Sequence, residues 1–195
     1  MILSKTSKEA IVFDPFDYMV VRFTYTKPTA GSDLDIMIYY EGTGTIYDGN
    51  AVGFGQGAGD NIKIPSNATA DTDAYLWWAN DDAGSPAGPC VEAVVIGVKN
   101  LYDDEVGVSD DITIPLRVGW YGTIGDGSVT VQLLTYLGGT MSQSGTDIIN
   151  TGGVLVDDQS FTRQVTSGTG QVTNVHSNLI GIVSYNKTTS TATLS

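Results

Sequence analysis

The chain predicts an all-β fold, an antiparallel β-sandwich of jelly-roll or Greek-key type with little helix. Three observations carry that prediction. Apolar and polar residues alternate with a period of two over several runs rich in Val, Ile, Tyr, Phe and Trp, as half-buried strands require. Clusters of Gly, Asp, Asn, Ser and Pro separate these runs, and 24 glycines allow the connections to be tight. Eighteen of the 22 acidic residues are Asp, which suits turns and caps where Glu would suit helices. No segment offers three turns of amphipathic helical periodicity.

The first strand is read over Tyr18–Thr26, where Met19, Val21, Phe23 and Tyr25 alternate with Tyr18, Val20, Arg22 and Thr24. Asp33–Tyr40 follows, with Leu34, Ile36 and Ile38 opposed to Asp33, Asp35 and Met37. Ala74–Ala79 is a shorter candidate whose adjacent Trp77 and Trp78 must face opposite ways, one to the core and one to the other surface. Val91–Val98 reads as a buried strand leading into a brief helical turn near Leu101. In Ile112–Tyr121, Pro115 predicts an edge position or a bulge, because proline donates no ladder bond. Ser128–Leu137 and Leu179–Asn186 have the same β-branched, aromatic character, while Gly153–Val156 and Thr191–Leu194 are short strand candidates. Gly138–Gly145 reads as a turn cluster. Beyond Gly138 the chain grows richer in Ser, Thr, Gly, Gln and Asn. The expected organisation is therefore a sandwich domain over 1–138 and a strand-forming segment over 139–195 that completes the sandwich or mediates subunit contacts.

Charge and composition exclude several functions. The net charge is −13 with a pI near 4.1, and the nine basic residues are scattered singly. With no basic stripe to neutralise phosphates, nucleic acid and anionic membranes are not expected partners. Mean hydropathy is +0.01, the apolar runs are too short to cross a bilayer, and the opening MILSKTSKEA does not read as a secretory signal. Cys90 and His176 are the only cysteine and histidine, so an internal disulfide, a Cys/His zinc site and a two-histidine metal motif are excluded. Gly53–Asp60 is glycine-rich but lacks the lysine of a phosphate loop. No catalytic set stands out, and a non-enzymatic role is expected.

The chemical signal lies in two acidic islands. Asp33 and Asp35 stand on one face of a strand, and Asn80-Asp81-Asp82 is followed at a distance by Glu92. Carboxylates held together repel unless a cation or hydrogen-bond donors lie between them, and an all-oxygen cluster suits a hard ion such as calcium. Asp33, Asp35, Asp81, Asp82 and Glu92 are thus the candidate metal ligands. Tyr75, Trp77 and Trp78 are the candidate ligand or interface aromatics, because an exposed indole stacks on a sugar or a neighbouring subunit.

The sequence Gly31-Ser-Asp-Leu-Asp-Ile, then Asn80-Asp-Asp-Ala-Gly, then Val91-Glu-Ala-Val-Val-Ile-Gly-Val resembles the TerD family of calcium-binding stress-response domains. The resemblance runs from about Val20 to Leu137. It implies Asp33 and Asp35 as strand ligands, Asp81 as the loop ligand, Asp82 in place of the family's usual Asn, and Glu92 as the acid before the apolar strand. Ser85–Cys90 holds no carboxylate where that family is dense with Asp, and Asn80 replaces its glycine, so one ion is expected instead of two. The segments YLWWANDDAGSPAGPCVEAVVIGV and VQLLTYLGGTMSQSGTDIINTGG, with the Ser/Thr-rich end, also resemble small β-sandwich structural proteins of tailed bacteriophages. That resemblance implies a virion decoration, fibre or tail-associated subunit that pairs with copies of itself or with other virion proteins. The alternatives are a TerD-like calcium-binding domain of the bacterial cytoplasm and a lectin-like carbohydrate-binding module.

Overall fold

The computed structural model describes residues 16–29, 31–40, 51–54, 62–83, 86–104, 111–121, 126–166 and 178–195. His176, the N-terminal MILSKTSKEA and most of the glycine-rich loop read over Gly53–Asp60 lie outside the described residues.

Two antiparallel sheets face each other. The six-stranded sheet holds β1 (Tyr18–Lys27), β4 (Lys63–Ile64), β5 (Leu76–Trp78), β6 (Gly88–Gly97), β8 (Asp126–Leu137) and β11 (Val154–Thr166), in the order β11-β8-β1-β6-β5-β4. The five-stranded sheet holds β2 (Asp33–Tyr39), β3 (Ala51–Gly53), β7 (Asp111–Tyr121), β12 (Leu179–Asn186) and β13 (Thr191–Leu194), in the order β13-β12-β7-β2-β3. A short α-helix, α1 (Val98–Asp104), follows β6 directly. The all-β sandwich expected from the alternation is therefore the observed fold.

The period-two pattern becomes the core. Met19, Val21, Phe23 and Tyr25 of β1 meet Leu34, Ile36, Trp78, Ile96, Leu116, Trp120, Val131 and Val183 in one buried cluster between the sheets. Apolar burial of this kind is worth about 25 cal/mol per Å² and is the main term opposing chain entropy. Trp120 also donates its indole N–H to the Val165 carbonyl at 2.9 Å and so ties the two sheets with a satisfied buried polar group. Gly127 is required there, because a Cβ at that position would lie 2.3 Å from the Trp120 ring.

A second buried cluster lies on the outer face of the six-stranded sheet. Val20, Trp77, Ala93, Val95 and Leu134 are covered by Met141 and Ile148. These come from a hairpin, β9 (Thr140–Ser144) and β10 (Asp147–Thr151), whose first strand falls in the expected turn cluster Gly138–Gly145. Its strands pair in register from Thr140↔Thr151 to Ser144↔Asp147. Arg22 Nε donates to Asp147 Oδ1 at 2.8 Å and helps hold the hairpin on the sheet. Strand β11 also differs from expectation, running thirteen residues where only Gly153–Val156 was read. It is an edge strand with a solvated face, so its sequence lacks the apolar alternation of the inner strands.

Pro115 sits in an interior strand, which corrects the edge alternative, while the pairing of β7 with β12 carries a bulge close by, between Leu179 and Gly181. The ladder from β2 to β7 ends at Ile38↔Leu116, so the proline falls one residue past it. Its missing donor costs nothing at a position where β2 has already left. At the open side of the sandwich, Gln159 of β11 acts as a substitute peptide group. Its Nε2 donates to the Ala192 carbonyl, and its Oε1 accepts from the Leu194 N–H, each at 2.9 Å. Two bonds of this kind contribute on the order of 1 kcal/mol each.

Candidate metal centre

At one end of the sandwich β1 stops, β2 and β6 begin, and the chain leaves β5 through Asn80, Asp81 and Asp82. This convergence collects the acidic residues. One carboxylate oxygen from each of Asp33, Asp81 and Glu92 lies within 4.8 Å of the other two. Glu92 is 0% exposed, Asp33 is 3% exposed, and Asp81 is half-buried.

Each carboxylate is held by its surroundings. Glu92 faces inward from β6, between Cys90 and Val94 of the main core. Its Oε1 accepts from the Tyr25 hydroxyl at 3.1 Å and its Oε2 accepts from the Trp78 indole N–H at 3.3 Å. The backbone on both sides is fixed by the β9–β10 turn: Ala93 N–H donates to the Thr146 carbonyl at 3.0 Å, and the Thr146 hydroxyl donates to the Val91 carbonyl. Asp33 Oδ1 accepts from the Tyr25 hydroxyl at 3.0 Å and from the Leu34 N–H at 2.8 Å. The Tyr25 ring stands edge-on to Trp120, with centroids 5.7 Å apart, which fixes the direction of its hydroxyl.

One cation is built in. Lys27, with a fully buried side chain, places Nζ 3.4 Å from Asp33 Oδ1 and donates to the Asp82 carbonyl. A single ammonium does not balance three carboxylates. The remaining charge shows in the electrostatics: burial, then repulsion from Asp33 and Asp81, pushes the Glu92 carboxyl well above the ordinary carboxylate range. Burial, then the charges of Glu92 and Asp33, holds the Tyr25 hydroxyl neutral, so its one proton stays in place between the two carboxylates. Two states satisfy such a site: Glu92 keeps a proton, or a divalent cation binds the carboxylates and Glu92 ionises. The oxygen-only donor set fits calcium.

Of the five acids expected to converge, three do. Asp35 is buried, but it lies outside this group. It has the parity of Met37 and Tyr39, which form a separate cluster with Ala51, opposite Leu34 and Ile36 in the main core. Asp82 lies outside the group of three and touches it through its backbone: its carbonyl receives Lys27 and its N–H donates to Glu92 Oε1 at 3.4 Å. Tyr75, Trp77 and Trp78 are all buried, so the expected exposed indole is corrected: Trp78 reaches Glu92, and Trp77, 3% exposed, lies under the β9–β10 hairpin. Lys27 and Tyr25 were not among the expected site residues. The signal was present, because Lys27 continues the inward register of Met19, Val21, Phe23 and Tyr25 by one step.

Comparison of the chain with known protein families, with curated proteins and with solved structures gives no match.

Proposed function

We propose that this chain is a non-enzymatic structural protein, a virion component of a tailed bacteriophage such as a decoration, fibre or tail-associated subunit. In this reading it assembles with copies of itself, and a calcium ion held by Asp33, Asp81 and Glu92 fastens the end of its sandwich. The observation that carries the reading is the meeting of three carboxylates from separate parts of the chain, two of them buried, with a buried lysine paired to one of them. The virion assignment itself draws on the resemblance in the YLWWANDDAGSP and GGTMSQSGTDIINTGG segments. The same cation site would serve a freestanding cytoplasmic domain of TerD type, and assembly state separates the two. The carbohydrate-binding reading is not carried forward, since neither indole offers an open ring face.

Native mass spectrometry of the full chain, with and without chelator, tests both halves of the proposal. An oligomer carrying one calcium per chain, with the calcium removed by chelator, is the expected result. A monomer without calcium under both conditions would contradict it.

A further inference from the structure

We infer that β11 is the surface through which two copies of this chain pair, edge to edge and antiparallel about Ser160. The inference rests on the assembly reading above and gives it a surface. Strand β11 is thirteen residues long and ends the six-stranded sheet. Natural edge strands are usually short, charged or bulged, because a row of open N–H and C=O groups invites another strand. The bulge in β11 lies between Leu155 and Asp157, and the register onward to Thr166 is regular.

The direction of the backbone groups follows from the ladders. Asp17 N–H donates to the Tyr136 carbonyl, so even-numbered residues of β8 bond towards β1 and odd-numbered ones towards β11. The pairs Gln159↔Leu133 and Phe161↔Val131 then set the odd residues of β11 on β8. Asp158, Ser160, Thr162 and Gln164 are left to present their amides and carbonyls along the outer edge, and all four are exposed. Among the described residues, only the Asp158 amide of these has a partner, its neighbour's Asp157 Oδ1 at 2.9 Å.

Charge selects a second copy as the occupant. Asp157 and Arg163 are equally spaced about Ser160, both exposed and on the same side of the strand. A two-fold axis at Ser160 sets Asp157 of one copy across from the partner's Arg163, and Arg163 across from the partner's Asp157. Opposite charges directly across two strands are favourable, and like charges there are not. Arg163 is already held at this edge, with Nη1 donating to the Ile180 carbonyl at 2.7 Å and its guanidinium 4.7 Å from the Phe161 ring centre. Strand addition of this kind draws affinity from main-chain bonds and specificity from the side chains.

Light scattering coupled to gel filtration tests the inference on the full chain. The wild type is expected at twice the mass of one 20.6 kDa chain. Asp157→Arg and Arg163→Asp are each expected at the mass of one chain, and an equimolar mixture of the two variants is expected to return to the doubled mass. Ser160→Pro, which removes an outward amide without touching the β8 ladder, is expected at the single mass, with circular dichroism unchanged. A doubled mass that persists in all three variants overturns the β11 surface and leaves assembly through another face. A wild type at single mass overturns both this surface and the assembly reading.

Discussion

Lys27→Met is expected to lower the melting temperature of the calcium-free protein by roughly 10 °C. Removing one partner of a buried ion pair typically costs about 3–5 kcal/mol, because the other charge stays buried without compensation. For a chain of this size each kcal/mol moves the midpoint by roughly 2–4 °C. The ammonium is fully buried and the Asp33 side chain is only 4% exposed, so solvent does not screen the loss. Asp33 would keep its bonds from Tyr25 and Leu34, and the Asp82 carbonyl would lose its donor. Methionine has nearly the length of lysine, which keeps the packing term small. Lys63→Met is the control. Its pair with Asp71 is also 3.4 Å long but half open to solvent, and its loss should cost less than about 1 kcal/mol. Thermal denaturation in chelator measures both, and equal small shifts would show that Lys27 does not balance the carboxylates. Calcium should restore part of the Lys27→Met loss, since it would supply positive charge to the same carboxylates.

The second large effect is that of calcium itself, and it depends on pH. At a hundred times its dissociation constant an ion that binds only the folded state adds about 2.7 kcal/mol, a rise of roughly 5–10 °C in the midpoint. In chelator, Glu92 sets the opposite trend. Its folded carboxyl is raised above the unfolded value of about 4.3, so the folded state holds the proton where the unfolded state has released it. The stability it contributes is complete below that unfolded value and is lost as pH rises through the raised folded value, by at most about 1.4 kcal/mol per pH unit. Calcium needs the ionised carboxylate, so the rise it produces should grow across the same window. Glu92→Gln should flatten the falling curve in chelator and remove most of the calcium rise. Melting curves between pH 4 and pH 8, with and without calcium, would contradict this if the wild type and Glu92→Gln ran parallel.

How much of this was legible in the sequence depended on which face of a strand carried the information. β1, β2, β7, β8 and β12 have one face on the main core, and their alternation gave them away. β11 and the β9–β10 hairpin did not, because solvent covers most of their outer side and, among their described side chains, only Met141, Ile148 and Val165 are buried. The adjacency of Trp77 and Trp78 rightly implied opposite directions. It could not reveal that a hairpin more than sixty residues later would cover the outer one. Asp33, Asp81 and Glu92 could be named because acids beside apolar runs are conspicuous. Asp35 looked equivalent to Asp33 on parity alone. The difference is that Asp33 is the first residue of β2, where Tyr25 and Lys27 at the end of β1 can reach its carboxylate. Lys27 was missed because a lysine at a strand end ordinarily reads as a solvated terminus.

The central claim is that the meeting point of Asp33, Asp81 and Glu92 holds a divalent ion. Titration calorimetry of calcium into the chelator-treated full chain at neutral pH, beside the Asp81→Asn variant, tests it most directly. Asp81 is half-buried and lies in the loop after β5, so its replacement should leave the fold intact. One saturable site per chain in the wild type, lost or weakened at least tenfold in Asp81→Asn, is the expected result. A wild type that takes up no calcium would contradict the claim and leave the cluster as a protonated Glu92 beside the Lys27–Asp33 ion pair.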